Sequence, residues 1–490
     1  MSRDTAEAFH ILLIGDFGGR SNRGLMEPDT SLSARPRAID CDNFDHVLQQ
    51  FNAKLDQIVV SGDDQPVTIP FDELDHLHPD YLYEQVPLFE SLRSLRRRLQ
   101  NPATFQQAAE EVFQWNSYQP SVEEATESKP APPTQESLDP SHLLAEMLDQ
   151  ASSIDRPRTS IDFQHIIRQI VAPYMPQSID PRQDELVRCV DSATQLLMTA
   201  LLHHPHFQQL ESTWRGLDFL IRRIETDVDL KIFVLNASSE EVAADLLVPA
   251  GNPIELERTR LHKVLVERTM RTPGGTPWSL VGWLPTVSPT EHDLSLLQQL
   301  AKLCRQGQTR LVAGVSGKFI GCPKPSRTPA PEDWSAPAAD WLARWNAWRS
   351  EPEARCVAMF WPRFLLRLPY GAKTNPIDAF AFEELPAGQS HDQLLWGSPV
   401  WLVAASVANA YRRDGWDMHW SRGCTIGELP WLTTRVDGEA VAHPCGELLL
   451  TERGAEKIGT LGIVPVLSFP NRDSVQLPIV ASVAGGEWGC

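Results

Sequence analysis

The chain is short of positive charge, of long apolar runs, of paired cysteines and of recognisable nucleotide loops. Its 44 Lys and Arg stand against 64 Asp and Glu, a formal charge of -20, which argues against a polyanion such as nucleic acid as a partner. No run approaches the roughly 20 apolar residues of a membrane-spanning helix, and Phe9 to Ile14 is too short even for a signal peptide. The eight cysteines are scattered, with no C-x-x-C pair or zinc spacing, a pattern of ordinary thiols in a reducing cytoplasm. Phe9 to Ile14 runs into the turn Gly15-Asp16-Phe17-Gly18-Gly19, which hints at a phosphate cradle. No P-loop lysine follows, however, and G-x-G-x-x-G is absent. No serine sits in a G-x-S-x-G elbow. The expectation is a chain with no catalytic, cofactor-binding or metal-binding residues.

What is present is periodic pattern, enough in 490 residues for two to four domains. Phe44, Val47, Leu48, Phe51 and Leu55 mark an amphipathic helix, and Leu88, Leu92, Leu95 and Leu99 mark a second. Arg96-Arg97-Arg98 near the end of that second helix is expected to complement the helix dipole and face solvent. Gln119 to Ser137 has prolines at 120, 130, 132 and 133 and several acids, so a flexible tether is expected. Asp139-Pro140 then starts a short helix with Leu143, Leu144, Met147, Leu148 and Ala151 as its apolar stripe. That stripe either docks on the chain's own core or is presented to a partner groove. Apolar positions 187, 190, 194, 197 and 201 predict a long helix, which Pro205 breaks. Phe207, Leu210, Trp214, Leu217 and Ile221 continue the rhythm, with Trp214 as a core anchor. His203, His204 and His206 read as a helix-end cluster, with a metal site as the alternative. Leu230 to Leu235 is a strand, and Ser238 with Glu241 makes a capping box.

The densest information lies between Trp341 and Trp396. Trp341, Trp345 and Trp348 fall on one helix face, and Cys356 to Trp361 is an apolar run of strand length. Arg363 to Tyr370, read as a strand, places Phe364, Leu366 and Leu368 on one face and Arg363, Leu365 and Arg367 on the other. Arginines on a partly apolar face call for carboxylates, and Glu383 and Glu384 follow. A structural ion-pair strand is the first reading and an anion site the second. Ten of the fifteen tryptophans lie between Trp334 and Trp431, which fits core and interface anchors, with a sugar-binding platform as the alternative.

These stretches resemble one family. WRSEPEAR, PRFLLRLPYG, FAFEE and HDQLLWG, in that order, are similar to the core of the large subunit of the type VI secretion contractile sheath. Asp414-Gly415-Trp416 and Gly427 to Pro430 continue the pattern, and His203 to Leu217 is similar to the family's other signature. ILLIGDFGGR, RPRAIDCDNFDHVL and IPFDELDHLHPDYLYEQVPLFESLRSLRRRL resemble the small subunit. The resemblance implies small and large subunits in tandem. The expected fold is mixed α/β: a small α/β domain over 1–118, a flexible linker over 119–137, a helical connector over 138–185 and a larger mixed-sheet body over 186–490.

By resemblance, Leu210, Glu211, Trp214, Arg215, Gly216, Arg363, Arg367, Pro369, Tyr370, Gly371, Glu383 and Glu384 form the structural signature. The implied function is mechanical: a sheath in a bacterial cytoplasm, polymerised around an inner tail-tube protein and contracting to expel it. Implied partners are other sheath subunits, baseplate proteins and an AAA+ unfoldase, with no nucleic acid and no membrane insertion. Leu143, Leu144, Met147 and Leu148 stand where the family carries its unfoldase handle. Both outer ends are shorter than the family pattern, so a non-polymerising accessory or capping protein is the alternative.

Overall fold

The computed structural model describes residues 8–59, 66–117, 183–247, 255–385, 391–436 and 439–489. The expected tether over 119–137 and the expected helix from Ser141 to Ala151 lie outside the described residues. The first part supplies β1 (Phe9–Gly15), β2 (Arg37–Ile39) and a hairpin of β3 (Ala53–Val59) and β4 (Pro66–Phe71). The second part supplies β5 (Leu230–Asn236), β6 (Trp278–Val287), β7 (Arg310–Val315) and β8 (Val357–Trp361). Beyond these lie β9 (Phe364–Leu365), β10 (Trp396–Gly397), β11 (Cys424–Ile426), a β12–β13 hairpin (Thr433–Val436, Glu439–Ala442), β14 (Val464–Pro465), β15 (Leu467–Ser468) and β16 (Val475–Leu477).

The main sheet has seven strands in the order β14-β8-β7-β6-β1-β5-β2. All its pairings are parallel except that of β2 with β5. A parallel sheet is covered on both faces, so its strands read as near-continuous apolar runs. In β1 the period of two divides the side chains between two cores. Phe9, Ile11 and Leu13 point into one cluster, and Leu12 and Ile14 into the other. The first cluster includes the helices Gln183–Leu202, Pro205–Ile221 and Pro399–Asp414. The second includes Glu291–Gln306 and the tryptophan helix Ala339–Arg349.

The small part therefore completes the larger body and shares its core. Its β1 lies between β5 and β6. Phe44, Val47, Leu48, Phe71, Leu92, Leu95 and Leu99 belong to the same cluster as Leu186, Val190, Leu210 and Trp214. Polar links cross the boundary as well. The Trp214 indole N–H donates to the Phe17 carbonyl at 2.8 Å, and the Gly18 amide donates to Asn236 Oδ1 at 3.0 Å. Arg96 differs from its expected solvent-facing role, since its Nε lies 2.5 Å from Asp191 Oδ1 on the helix Gln183–Leu202. The arginine run follows the helix end, but one member ties the two parts together.

Leu55 departs from its expected helix, because Asn52 in the left-handed conformation ends that helix at Phe51 and Leu55 falls in β3. Several other local expectations meet their elements. The tryptophan helix buries Trp341, Trp345 and Trp348, and the Ser238–Glu241 capping box forms in both directions. The Arg363–Tyr370 run departs from its expected form, because only Phe364 and Leu365 are strand, paired antiparallel with β10. The chain leaves the ladder where Arg367 turns inward to buried carboxylates. Cys41, Cys189, Cys304, Cys322, Cys424 and Cys445 are free thiols, whereas Cys356 is disulfide-bonded and departs from the ordinary-thiol reading.

A chain cut between residues 119 and 137 at an inserted protease site should elute as one complex under native conditions. Two separately migrating fragments on size exclusion would show that β1 and its neighbours do not hold the parts together.

Candidate functional site

Five of the expected signature residues, Glu211, Arg215, Arg367, Tyr370 and Glu384, converge on a buried charge network between the helix Pro205–Ile221 and the loop after β9. Arg367 and Glu384 are buried, and Glu211 is completely so. Arg367 Nε donates to Glu211 Oε1 at 2.7 Å, and its Nη1 donates to Glu384 Oε2 at 2.8 Å. Its Nη2 bridges both carboxylates at 3.2 and 3.1 Å. Arg215 Nε donates to Glu211 Oε1 at 2.6 Å, and its Nη2 donates to the Tyr370 hydroxyl at 2.9 Å. The Tyr370 amide donates to Glu384 Oε2 at 2.8 Å, and His203 Nε2 stands 3.3 Å from Glu384 Oε1. Two guanidinium groups thus face two carboxylates, a balanced set that lowers the cost of burying the ions.

Burial alone would raise the Glu384 carboxyl, but Arg367 and His203 hold it down at about 2. Burial pushes the Tyr370 phenol up to about 12 despite the neighbouring guanidinium groups. Arg367 is raised well above its ordinary value, because Glu211 and Glu384 outweigh the burial that opposes it. Arg367 and Glu384 thus hold each other charged.

Arg363 does not join this network. It pairs in two-pronged fashion with Glu447, Nη2 to Oε1 at 2.7 Å and Nε to Oε2 at 2.9 Å. Glu383 instead accepts from the Ala372 amide at 3.0 Å. Sequence reasoning missed Glu447, which lies 84 residues from Arg363 with no local pattern to mark it. Of the two signature glycines, Gly216 is a steric necessity, while Gly371 faces only the movable end of a side chain. A Cβ on Gly216 would lie 2.1 Å from the Trp401 indole nitrogen, and one on Gly371 would lie 2.3 Å from Glu383 Oε2. Pro369 is fixed through its carbonyl, which accepts from Thr374 Oγ1 at 2.6 Å. Leu210 and Trp214 are core side chains.

A polar cleft of about 930 Å³ opens at the carboxyl ends of β1, β5 and β6, lined by Asp16, Arg23, His206, Ser239, Arg363 and Trp401 among others. Some of its ionisable groups are committed to the fold, while Arg23 Nε and Asp56 Oδ1 are buried without a hydrogen-bond partner. Asp16 accepts from the Arg20 amide at 2.6 Å and from the Ser21 amide at 2.8 Å. His204, pushed down to about 4 by burial and by His206, caps the helix Pro205–Ile221 through the His206 amide. Among the described residues no group of three or more His, Cys, Asp or Glu side chains is placed to hold a metal ion. Trp334, Trp341, Trp345, Trp348, Trp361, Trp396 and Trp401 are buried and serve as core anchors, whereas Trp416 and Trp420 are half-buried and Trp431 is exposed. The proposed handle residues Leu143, Leu144, Met147 and Leu148 lie outside the described residues.

Comparison with known proteins decides what this architecture is. A family model for VipB, the tail sheath N-terminal domain, matches residues 184–483, more than half of the chain. The chain belongs to the VipB tail sheath family. A second model, for the type VI secretion system protein VipA, matches residues 3–114. VipA-like and VipB-like parts are therefore fused on one chain. The type VI secretion system sheath protein TssC1 of Pseudomonas aeruginosa is 29% identical over 299 residues, covering 59% of each chain. The matched range 184–483 contains every residue of the buried network. Among the described residues no helix is long and apolar enough to cross a membrane.

The network sets an acid limit on stability. Glu384 is depressed in the folded state, so the unfolded chain binds its proton first. The stabilisation is complete above the ordinary value of 4.5 and is lost as pH falls toward about 2. At roughly 1.4 kcal/mol per unit, about 3 kcal/mol should disappear over that window in urea unfolding. Glu384→Gln should be less stable at pH 7 and show a shallower acid limb. An unchanged limb would assign the acid sensitivity elsewhere.

Proposed function

We propose that this chain is a structural subunit of a type VI secretion contractile sheath in a bacterial cytoplasm. It polymerises around an inner tail-tube protein and contracts to expel it, in contact with further sheath subunits and baseplate proteins. The observation that carries this reading is the shared sheet. VipA-type and VipB-type parts, both matched by family models, contribute strands to one sheet, with β1 of the first between β5 and β6 of the second. Contraction then draws on packing energy stored during assembly, with no catalytic step in this chain. An accessory protein that resembles one sheath unit without forming the lattice is the weaker reading, since both sheath-type parts are matched. Electron microscopy of the purified protein, with and without the tail-tube protein, separates the two. Hollow helical filaments are expected, and isolated particles under both conditions would favour the accessory role.

The same reading makes Leu143, Leu144, Met147 and Leu148 a handle for an AAA+ unfoldase that recycles contracted sheath. Its support is the apolar stripe beside an acidic, proline-rich segment. A peptide of residues 137–155 should bind the unfoldase N-terminal domain with modest affinity, multiplied by avidity on a polymer. Leu144→Asp and Leu148→Asp should abolish that binding. Binding indifferent to both substitutions would return the helix to an ordinary core role.

A further inference from the structure

The cleft at the carboxyl edge of the sheet holds two opposite charges that the fold leaves unmatched. Arg23 and Asp56 both line it. Arg23 Nε and Asp56 Oδ1 are buried without a hydrogen-bond partner, so neither atom satisfies the other. Leaving a buried polar atom in that state costs stability, and each such case calls for a reason. Arg20, Arg215, Arg363 and Arg367 show the ordinary arrangement, each held by a carboxylate.

The backbone beneath the two charges is fixed. Asp16 gathers the Arg20 and Ser21 amides, and the Arg23 amide donates to the Gly19 carbonyl at 3.4 Å. Asn22 ties this turn to β3, its Nδ2 donating to the Lys54 carbonyl at 3.1 Å and its Oδ1 accepting from the Asp56 amide at 3.5 Å. Asp56 stands where the register of β3 with β4 shifts between Leu55 and Ile58. Such a bulge re-aims a side chain out of the regular ladder. Asn22 thus sets the spacing of the two charges, while the side chains that carry them stay untied.

The pair selects a ligand by charge. An anion alone would meet Arg23 and be repelled by Asp56, and a cation alone would meet the reverse. A molecule with both a carboxylate and an ammonium answers both, through two charge-assisted hydrogen bonds. The opposite wall suits the rest of such a molecule. Burial pushes His206 down, so its ring is neutral at pH 7, and Gln209, Ser239 and Thr286 add uncharged polar groups. The volume of about 930 Å³ lies in the range of small-molecule sites. We propose that this cleft binds a free α-amino acid, its carboxylate on Arg23 and its ammonium on Asp56. The proposal rests on the cleft alone and holds for a sheath subunit or an accessory protein alike.

A thermal-unfolding screen of the full-length protein against each standard L-amino acid should show a raised Tm with at least one of them. Calorimetric titration of that amino acid should then give a single saturable site. Its N-acetyl derivative lacks the ammonium and its amide lacks the carboxylate, so each should bind about ten- to a hundredfold more weakly. Arg23→Gln should weaken the free amino acid by a similar factor and leave the amide unaffected. Asp56→Asn should do the same to the free amino acid and leave the N-acetyl derivative unaffected. Arg23→Lys, which keeps the charge, should restore part of the affinity, and the ligand-free Tm of the Arg23 variants should match that of the parent. A Tm indifferent to every amino acid would overturn the proposal. So would an N-acetyl derivative that binds as tightly as the free amino acid, the mark of a plain anion site. Affinity unchanged by both Arg23→Gln and Asp56→Asn would equally overturn it, by placing the ligand elsewhere.

Discussion

Strand β1 depends on both of its neighbours, and both come from the far half of the chain. No stretch of residues 9–15 is stable alone, since its backbone groups and all but one of its side chains are satisfied only between β5 and β6. The converse also holds, because the sheet is divided without it. This mutual dependence explains why the links beyond the strand follow one direction. Phe17, Gly18 and Arg20 each reach from the turn after β1 to a partner on or near β5 or the helix Pro205–Ile221. The ladder sets their positions, and their bonds in turn fix how the turn leaves the sheet.

The charge network occupies the next layer out. Burying ions costs several kcal/mol each, and the cost is recovered only when every donor and acceptor has a partner. Arg367 meets that condition almost completely. Glu211 takes Nε and one edge of the guanidinium, Glu384 takes the opposite edge, and the Leu368 carbonyl accepts from Nη1 at 3.2 Å. Such a set has one low-energy geometry, so its value lies as much in fixing the loop after β9 against the helix Pro205–Ile221 as in stability. That helix also carries Trp214, which reaches Phe17. The ion network and the strand insertion therefore share one helix.

What was legible in the sequence is what local pattern determines. The steps of three and four from Val187 to Leu201 predict a helix, and Gln183–Leu202 is one. Ser238 and Glu241 show their cap because its atoms are three residues apart. Arg363 and Arg367 are legible as residues that need carboxylates. Their partners are not, because Glu211 lies 156 residues from Arg367 in sequence and Glu447 lies 84 from Arg363. Proximity in sequence favoured Glu383 and Glu384, and it is right for one arginine and one glutamate only. Likewise Phe9 to Ile14 reads as a buried strand, but nothing in an apolar run states which strands will flank it.

The cleft at the carboxyl edge of the sheet follows from the same economy of partners. In open parallel sheets this edge holds ligands, because strand ends, turns and helix N-termini converge there with free donors. Here the convergence is present and most of the backbone donors named below are engaged, while Arg23 Nε has no partner. The turn after β1 directs the Arg20 and Ser21 amides at the carboxylate of Asp16. The helix starts at Pro205, Ser239 and Pro399 are each capped by the residue before them. Arg363 at the rim is held by Glu447. A glycine-rich turn that resembles a phosphate cradle in sequence is thus closed by the chain's own acid. An edge suited to ligand chemistry is here partly filled by the chain's own caps and ion pairs.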